Sequence, residues 1–171
     1  PAANNKRVIG ITGLRFAGLD NNAFVSDEFL DMNSAYGYMQ TGEWRAWDFN
    51  FGKPSEVNIN VPRDERATVY KWQVAQLFRF LPPTETVARS VSVLWGIISI
   101  LVVFWATYAM TKRREIALIA ALLFAISVSG IIFDRTLRMY AMFFQLYLAT
   151  ATCTFLALER IYSGRITWWK Q

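Results

Sequence analysis

Three long apolar segments in the second half of the chain constrain its fold more than any other feature. They cover residues 89–110, 115–133 and 138–158, and each is close to the roughly 20 residues that a helix needs to cross the hydrocarbon core of a bilayer. Hydrophobic residues make up 54% of the 171 residues, and the excess over ordinary soluble proteins comes from this half. The sequence therefore predicts an all-α integral membrane protein with about three transmembrane helices.

The charges that flank these segments predict how they cross the membrane. Residues 111–114 form a basic turn, and the tail at residues 159–171 is basic and contains adjacent tryptophans. Loops rich in Lys and Arg stay in the cytoplasm, and Trp favours the membrane interface. We therefore expect both regions at the cytoplasmic face, with residues 20–88 and 134–137 on the outer side.

Residues 20–88 form the predicted outer loop, which is polar yet rich in aromatic side chains, a mixture typical of the headgroup region. Apolar residues recur at helical spacing in two places. They predict amphipathic interfacial helices at residues 26–41 and 64–81, joined by an irregular connection at residues 44–62. The expected apolar faces carry Phe29, Met32, Tyr36 and Met39 in the first helix and Val69, Trp72, Val74, Leu77 and Phe80 in the second.

Capping residues mark where these helices begin and end. Ser26 is the expected N-cap of the first outer helix, and the Thr41–Gly42 pair is expected to end it. Pro82 and Pro83 end the second, after which Thr84 is placed to cap the first transmembrane helix.

Residues 1–19 contain an apolar run of about a dozen residues with three glycines and Arg15, which is too short to span a bilayer. The run lacks the pattern of a signal peptide. We interpret it as the end of a preceding helix. Because the chain starts with Pro and not Met, we interpret the sequence as part of a longer polypeptide.

Composition argues against several classes of function. The net charge is +5, but the basic residues gather at membrane boundaries and form no nucleic-acid-binding motif. The single cysteine, Cys153, permits no internal disulfide, and without histidine there is no ligand set for zinc. A metal in this chain would be a hard cation held by oxygen atoms.

An acidic group opens the first outer helix. Asp27 and Glu28 are expected in its first turn, where negative charge stabilises the helix dipole, and this is the simplest explanation for both. Asp31 lies one turn after Asp27 on the same face. Carboxylates at this spacing can raise the pKa of one member, or hold a divalent cation such as Mg²⁺ or Mn²⁺ through Asp27, Glu28 or Asp31.

A second charged group lies between the last two apolar segments. It contains Asp134, Arg135, Arg138 and Tyr140. Arginines at a membrane edge often serve only as anchors whose heads reach the interface. The alternative is phosphate capture, because a guanidinium matches phosphate oxygens bidentately and stays charged.

The order of these features resembles a known family. An acidic pair opens the first outer loop in "SDEF" and is followed by "GYMQTGEW"; then come "YKWQVAQLFRFLPPTETVARSVSVLWG" and the short loop "FDRTLRMYAMFF". Residues 14–158 as a whole are similar to the polytopic GT-C glycosyltransferases that use polyprenyl-phosphate sugars. The resemblance is to the dolichyl-phosphate-mannose:protein mannosyltransferases and the bacterial transferases related to them. Tyr140 stands where the mannosyltransferases carry Asp, which favours the broader bacterial or archaeal group.

The resemblance implies roles for individual residues. Asp27 would be the catalytic base that acts on the acceptor, with Glu28 beside it to orient the acceptor or a divalent cation. Arg138 would steady the phosphate of the departing lipid, with Arg135 and Arg89 as secondary donor-phosphate residues. Asp31, Asp134 and Tyr140 are candidate supporting residues. The family implies many more membrane helices, so this chain would be an N-terminal portion.

These roles imply the partners: membrane lipid, a polyprenyl-phosphate sugar donor, an acceptor of unknown kind, and the remainder of the polypeptide or partner subunits. The implied location is the cell membrane of a prokaryote or, in a eukaryote, the endoplasmic reticulum. A non-catalytic membrane subunit or scaffold explains the aromatics and arginines as well. A transporter is disfavoured, because the three segments lack the Gly/Pro-interrupted pairs expected at a transporter site. The enzyme differs from the scaffold in requiring Asp27 and residues 134–140 to converge on one polar cleft.

Overall fold

The computed structural model describes residues 11–21, 23–55 and 66–162. These residues are mostly helical, which confirms the predicted fold class. The helices are α1 (Ile11–Phe16), α2 (Ser26–Thr41), α3 (Thr68–Phe78), α4 (Glu85–Thr111), α5 (Arg114–Ile126), α6 (Val128–Asp134) and α7 (Tyr140–Tyr162), with two short strands, β1 (Trp47–Asp48) and β2 (Lys53–Pro54). Within residues 1–19, predicted to be the end of a preceding helix, the structure describes α1. Most of the predicted tail at residues 159–171 lies outside the described residues.

Two helices, α4 and α7, are long and apolar enough to cross a membrane. The helices α5 and α6 add a third crossing if the pair counts as one span. Thr84 caps α4, as predicted, because its hydroxyl oxygen accepts a hydrogen bond from the Val87 N–H at 3.3 Å. The basic turn also lies where predicted, with Lys112 in a left-handed conformation (φ 58°) between α4 and α5. The chain is therefore a helical membrane protein with two or three candidate transmembrane helices.

The second predicted span differs from expectation, because it is not one continuous helix. It breaks at Ser127, and the two halves are bent by 62°. The Ser127 backbone is extended, and its hydroxyl oxygen accepts from the Gly130 N–H as the N-cap of α6. A carbonyl freed at the end of α5, that of Ala125, accepts a hydrogen bond from Arg15 Nη1 at 2.8 Å. The prediction that the three spans lack Gly/Pro-interrupted pairs did not foresee this break, because a capping serine such as Ser127 was not weighed as an interruption.

The first outer helix, α2, has the predicted bounds, but its start differs in detail. Val25 and not Ser26 occupies the N-cap position, and its N–H donates to Glu28 Oε2 at 3.1 Å. The end is as predicted: Gly42 adopts a positive φ of 76°, a conformation that lacks steric cost only in glycine, and its N–H donates to the Tyr38 carbonyl at 2.8 Å. Met32 is buried, whereas Phe29 is exposed.

The second outer helix, α3, is shorter than the predicted 64–81, and residues 64 and 65 lie outside the described part. Its buried face is also different from the predicted one. The enclosed side chains are those of Tyr70, Lys71, Val74, Ala75 and Phe78, while Val69, Trp72 and Phe80 are exposed. In a membrane protein, exposed apolar side chains suit contact with lipid. An apolar residue that faces lipid and one that packs against α2 therefore look the same in the sequence, which is why the buried face of α3 was predicted wrongly.

A small hairpin replaces part of the predicted irregular connection. The strands β1 and β2 pair antiparallel, with Trp47 opposite Pro54. The hairpin covers α2 through ring contacts, since the Tyr36 ring lies 5.6 Å from that of Trp47 and 4.8 Å from that of Phe49. Residues 56–62 of the connection lie outside the described residues.

The helix α4 organises the packing. It contacts both α5 and α7 along the membrane region, and α3 packs on α2 and on α4. The main core joins α2, α3, the start of α4 and the 134–140 segment, through Met32, Ala35, Tyr70, Val74, Phe78, Ala88, Val91 and Leu137. The outer helices and the 134–140 segment therefore lie at the same end of the spans.

Accessibility of single cysteines should show which side this end faces. In a Cys153→Ser background, we expect a membrane-impermeant thiol reagent added outside the cell to modify Ser55→Cys and to leave Lys112→Cys unmodified. The reason is that the basic turn beside Lys112 favours the cytoplasm. The reverse labelling pattern would invert the topology and remove the proposed site from the outer face.

Candidate functional site

The start of α2 and the 134–140 segment converge at the N-terminal end of α4. Glu28 contacts both of the other elements, and Asp27 and Asp31 contact Arg138. These contacts join residues more than 60 positions apart in the chain. Asp27 therefore contacts the 134–140 segment, which is one part of what the enzyme hypothesis requires; a polar cleft at this contact stays a prediction.

Glu28 and Arg89 form a buried ion pair at the centre of this region. Arg89 Nε donates to Glu28 Oε1 at 3.0 Å, and Arg89 Nη2 donates to Glu28 Oε2 at 2.8 Å. Arg89 also donates to the Leu19 carbonyl at 2.5 Å, and its guanidinium lies 4.9 Å from the ring centre of Phe24. A paired guanidinium and carboxylate with these added hydrogen bonds is the arrangement that makes a buried charge tolerable.

Glu28 accepts more than the two bonds from Arg89. The Leu137 N–H donates to its Oε1 at 2.6 Å, and the Val25 N–H donates to its Oε2. Burial by itself raises the pKa of the Glu28 carboxyl, but the hydrogen bonds from Arg89, Leu137 and Val25 and the charge of Arg89 outweigh burial and lower the pKa below its ordinary value. Glu28 is therefore a charged group that holds α2, α4 and the 134–140 segment together. Both of its oxygens are bonded, which does not support the predicted contact with an acceptor or a cation.

Asp27 and Asp31 form a separate, more exposed group with Arg138. Arg138 Nη2 lies 3.3 Å from Asp27 Oδ2, and Arg138 Nη1 lies 3.1 Å from Asp31 Oδ2. The Asp27 side chain is 62% exposed and that of Arg138 25%. The predicted repulsion between the two carboxylates is thus relieved by the guanidinium between them.

Tyr140 supports Arg138 from the start of α7. Its ring centre lies 5.6 Å from the guanidinium carbon. Partial burial lowers the pKa of Arg138, but the hydrogen bond with Tyr140 and the charges of Asp31 and Asp27 raise it above its ordinary value overall. Tyr140 therefore contacts the same guanidinium as Asp27 and Asp31.

The backbone that carries Arg138 is held on both sides. Glu28 accepts from the Leu137 N–H, Ser92 donates its hydroxyl to the Arg138 carbonyl at 3.3 Å, and the Leu137 side chain is fully buried. Tyr70 in turn shares a 2.6 Å hydrogen bond with Ser92, and burial raises the pKa of the Tyr70 hydroxyl, which keeps it neutral. The position of Arg138 is therefore set by α2, α3 and α4 together. Tyr70 and Ser92 were not predicted from the sequence, where the only signal of their role is a hydroxyl among apolar residues.

Arg135 lies apart from Arg138. Its Nη2 donates to the carbonyls of Ala17 at 2.7 Å and Gly18 at 2.9 Å, and so joins the 134–140 segment to the residues after α1. Arg135, Arg89 and Glu28 line a cavity of about 350 Å³ between these elements. The two secondary arginines therefore share one cavity, while Arg138 serves the acidic face of α2.

Asp134 forms a buried ion pair with Arg15, a pairing that was not predicted from the sequence. Arg15 Nε donates to Asp134 Oδ2 at 2.7 Å, and both side chains are buried. The carboxylate packs against Gly96 of α4, where a Cβ would collide with it, so this close approach requires glycine. Asp134 is thus a structural partner of α1 and α4. An Asp and an Arg within separate apolar stretches was the signal that could have predicted the pair, since each needs a partner in such surroundings.

The predicted divalent cation does not fit this arrangement. Within the described residues, no group of three or more His, Cys, Asp or Glu side chains is placed to hold a metal. Glu28 is fully engaged with Arg89 and Leu137, and the Arg138 guanidinium already occupies the position between Asp27 and Asp31. The positive charge beside these carboxylates therefore comes from Arg89 and Arg138.

Fold and site together define a class: a helical membrane protein with a partly exposed cluster of charges at one end of its spans. This cluster, Asp27, Asp31 and Arg138, is called the acid–arginine cluster below. Comparison with protein-family models, with curated protein sequences and with solved structures finds no match to this chain.

Proposed function

We propose that this chain is part of a membrane glycosyltransferase that moves a sugar from a polyprenyl-phosphate donor to an acceptor at the outer face of the membrane. One observation carries the proposal: Arg138 and the two aspartates of α2 meet at the end of the spans, with Asp27 largely exposed. A guanidinium that could bind phosphate, that of Arg138, and a carboxylate that could accept a proton, that of Asp27, thus lie side by side where a membrane lipid can present its headgroup. The resemblance of the chain to the GT-C transferases supports the same assignment.

The chemistry assigns different tasks to the two charged groups. Asp27 would take the proton from an acceptor hydroxyl, whose oxygen forms the new bond to the anomeric carbon of the sugar. The bond from that carbon to the phosphate oxygen breaks, and the polyprenyl phosphate leaves with the electron pair. Arg138 would stabilise the negative charge that develops on this phosphate. Asp31 and Tyr140 would hold Arg138 in place before the donor binds.

The remaining candidates act indirectly in this proposal. Glu28 and Arg89 are positioning residues, because Glu28 fixes the backbone N–H of Leu137, next to Arg138. Arg135 and Asp134 join the same segment to the residues of α1 and those just after it. None of the four needs to touch the substrate for the reaction to proceed.

Substitution of Arg138 tests the role of the guanidinium. In the full-length protein, Arg138→Ala should weaken binding of a polyprenyl-phosphate sugar by about 10- to 150-fold, since hydrogen bonds to charged groups contribute about 1.5–3 kcal/mol. Folding should change by less than the roughly 3–5 kcal/mol expected for a fully buried pair, because the Asp27 and Arg138 side chains are 62% and 25% exposed. Arg138→Lys should restore part of the affinity, because the Lys ammonium keeps the positive charge but cannot bind two phosphate oxygens in the bidentate geometry of a guanidinium. Donor affinity in detergent and thermal unfolding are the two measurements.

The matched control for this substitution is Arg45→Ala. Arg45 is an exposed arginine of the same outer region, and it pairs with Glu43 at 2.7 Å. It should leave donor affinity unchanged. If Arg138→Ala and Arg45→Ala bind the donor equally well, Arg138 is an anchor and the enzyme proposal loses its main support.

A second candidate function is a non-catalytic membrane subunit or scaffold. It is favoured by the structural use of the charges, since Glu28, Arg89, Asp134 and Arg15 all bond within the protein. The scaffold predicts no donor binding in either the parent protein or its variants. For either function, the cell membrane of a prokaryote or the endoplasmic reticulum of a eukaryote is the proposed location.

A further inference from the structure

A groove of about 950 Å³ lies between the start of α2 and the start of α4, next to the acid–arginine cluster but separate from it. Its walls include Phe24, Phe29, Met32 and Phe49. Ser26, the neighbour of Asp27, also lines it. We propose that this groove binds a membrane amphiphile whose headgroup carries an ammonium group.

The level of the groove indicates that its occupant comes from the bilayer. Pro83, Thr84 and Glu85 contribute to it, and Glu85 is the first residue of the transmembrane helix α4. The groove therefore lies at the membrane boundary, where an alkyl chain can enter without crossing water. Phe29 and Phe49 are both exposed in it, and apolar surface of this kind suits an alkyl chain.

The charges at the groove select the headgroup. Asp20 and Glu85 line it, and among the described residues that do so there is no Lys or Arg. Neither carboxylate forms an ion pair within residues 11–21, 23–55 and 66–162. The Phe24 ring already faces Arg89, whereas the rings of Phe29 and Phe49 are exposed. Two carboxylates beside these exposed rings attract an ammonium group, by charge and by cation–π contact, and repel a phosphate or sulfate.

The same charges make the groove a poor site for the proposed donor. A polyprenyl phosphate is an anion and would be drawn to Arg138, which lies outside the groove lining. The groove lining contains no residue of the acid–arginine cluster, so binding of an ammonium amphiphile there does not rest on the glycosyl-transfer proposal. If that proposal also holds, the groove would present an ammonium-bearing acceptor beside Asp27.

Photolabelling with matched probes tests the inference. The full-length protein is placed in nanodiscs of an uncharged glycolipid, whose headgroup has no ammonium group, with one of two probes that share the same diazirine-bearing hexadecyl chain. One probe has a primary ammonium head and the other a sulfate head. We expect the ammonium probe to label residues 24–32 and 49 about three to ten times more than the sulfate probe, as two exposed ion pairs and a cation–π contact allow. Labelled residues are found by mass spectrometry.

Two variants make the result specific. Asp20→Asn with Glu85→Gln should abolish the preference for the ammonium probe without affecting folding, since neither side chain is buried. Glu115→Gln, an exposed acid in the first turn of α5 at the opposite end of α4, should keep the preference. Equal labelling by both probes in the parent protein, a preference for sulfate, or a preference that survives the double substitution would each overturn the inference. None of these outcomes depends on sugar transfer, so they are distinct from failure of the proposed enzyme activity.

Discussion

Arg89→Leu should destabilise the protein by about 3–5 kcal/mol, the cost of removing one partner from a buried ion pair. The loss is large because Glu28 would remain buried with its charge and would lose two of its hydrogen bonds, those at 3.0 and 2.8 Å. The carbonyl of Leu19 would also lose its bond from Arg89. Unfolding of the purified protein in mixed detergent, followed by circular dichroism, measures the change.

The exposed pair of Arg45 and Glu43 provides the control for this prediction. Its side chains are 54% and 44% exposed, and exposed pairs contribute about 1 kcal/mol or less. Arg45→Leu should therefore have little effect on unfolding. A second substitution, Glu28→Gln, should recover part of the stability lost in Arg89→Leu, because it removes the unpaired charge and keeps an acceptor for the Leu137 N–H. If Arg89→Leu and Arg45→Leu have the same free energy of unfolding, the buried pair of Arg89 and Glu28 does not stabilise the fold.

Asp27→Asn should lower the rate of sugar transfer by about 10²–10⁴-fold while leaving donor binding nearly intact, because loss of a positioned general base has effects of this size. The substitution keeps the shape of the side chain, and Asp31 still holds Arg138 at 3.1 Å. The fold should persist, since the Asp27 side chain is largely exposed. The measurement is transfer from a polyprenyl-phosphate sugar by the full-length protein in liposomes, with donor binding followed in parallel.

Glu43→Gln is the matched control, because it removes an exposed carboxylate from the same outer region. It should transfer sugar at the parental rate. If Asp27→Asn also does so, Asp27 only complements the dipole of α2, an effect of about 0.3–1 kcal/mol, and the base must be sought elsewhere. Loss of donor binding together with transfer would instead indicate that Asp27 acts through Arg138.

Local features of the sequence determined the membrane architecture. Hydropathy over about 20 residues predicted α4 and α7, because a helix in lipid must satisfy its own backbone hydrogen bonds and expose apolar side chains along its whole length. Thr84 and Gly42 marked helix ends correctly, since a cap acts on backbone groups within four residues of itself. The candidate site was also partly predictable: Asp27, Asp31 and Arg138 were selected as charged groups at a membrane boundary, and they do meet.

Only the tertiary structure decided how the other charges are used. The sequence placed Glu28 and Asp27 together as an adjacent acidic pair, but successive residues of a helix point about 100° apart, so Glu28 faces Arg89 and Asp27 faces Arg138. The partner of Asp134 is Arg15, 119 positions away, and the break at Ser127 depends on the same arginine to satisfy the Ala125 carbonyl. Pairings of this kind depend on which helices pack against each other. Hydrophobic periodicity does not encode that choice in lipid, because a lipid-facing side chain and a buried one are equally apolar.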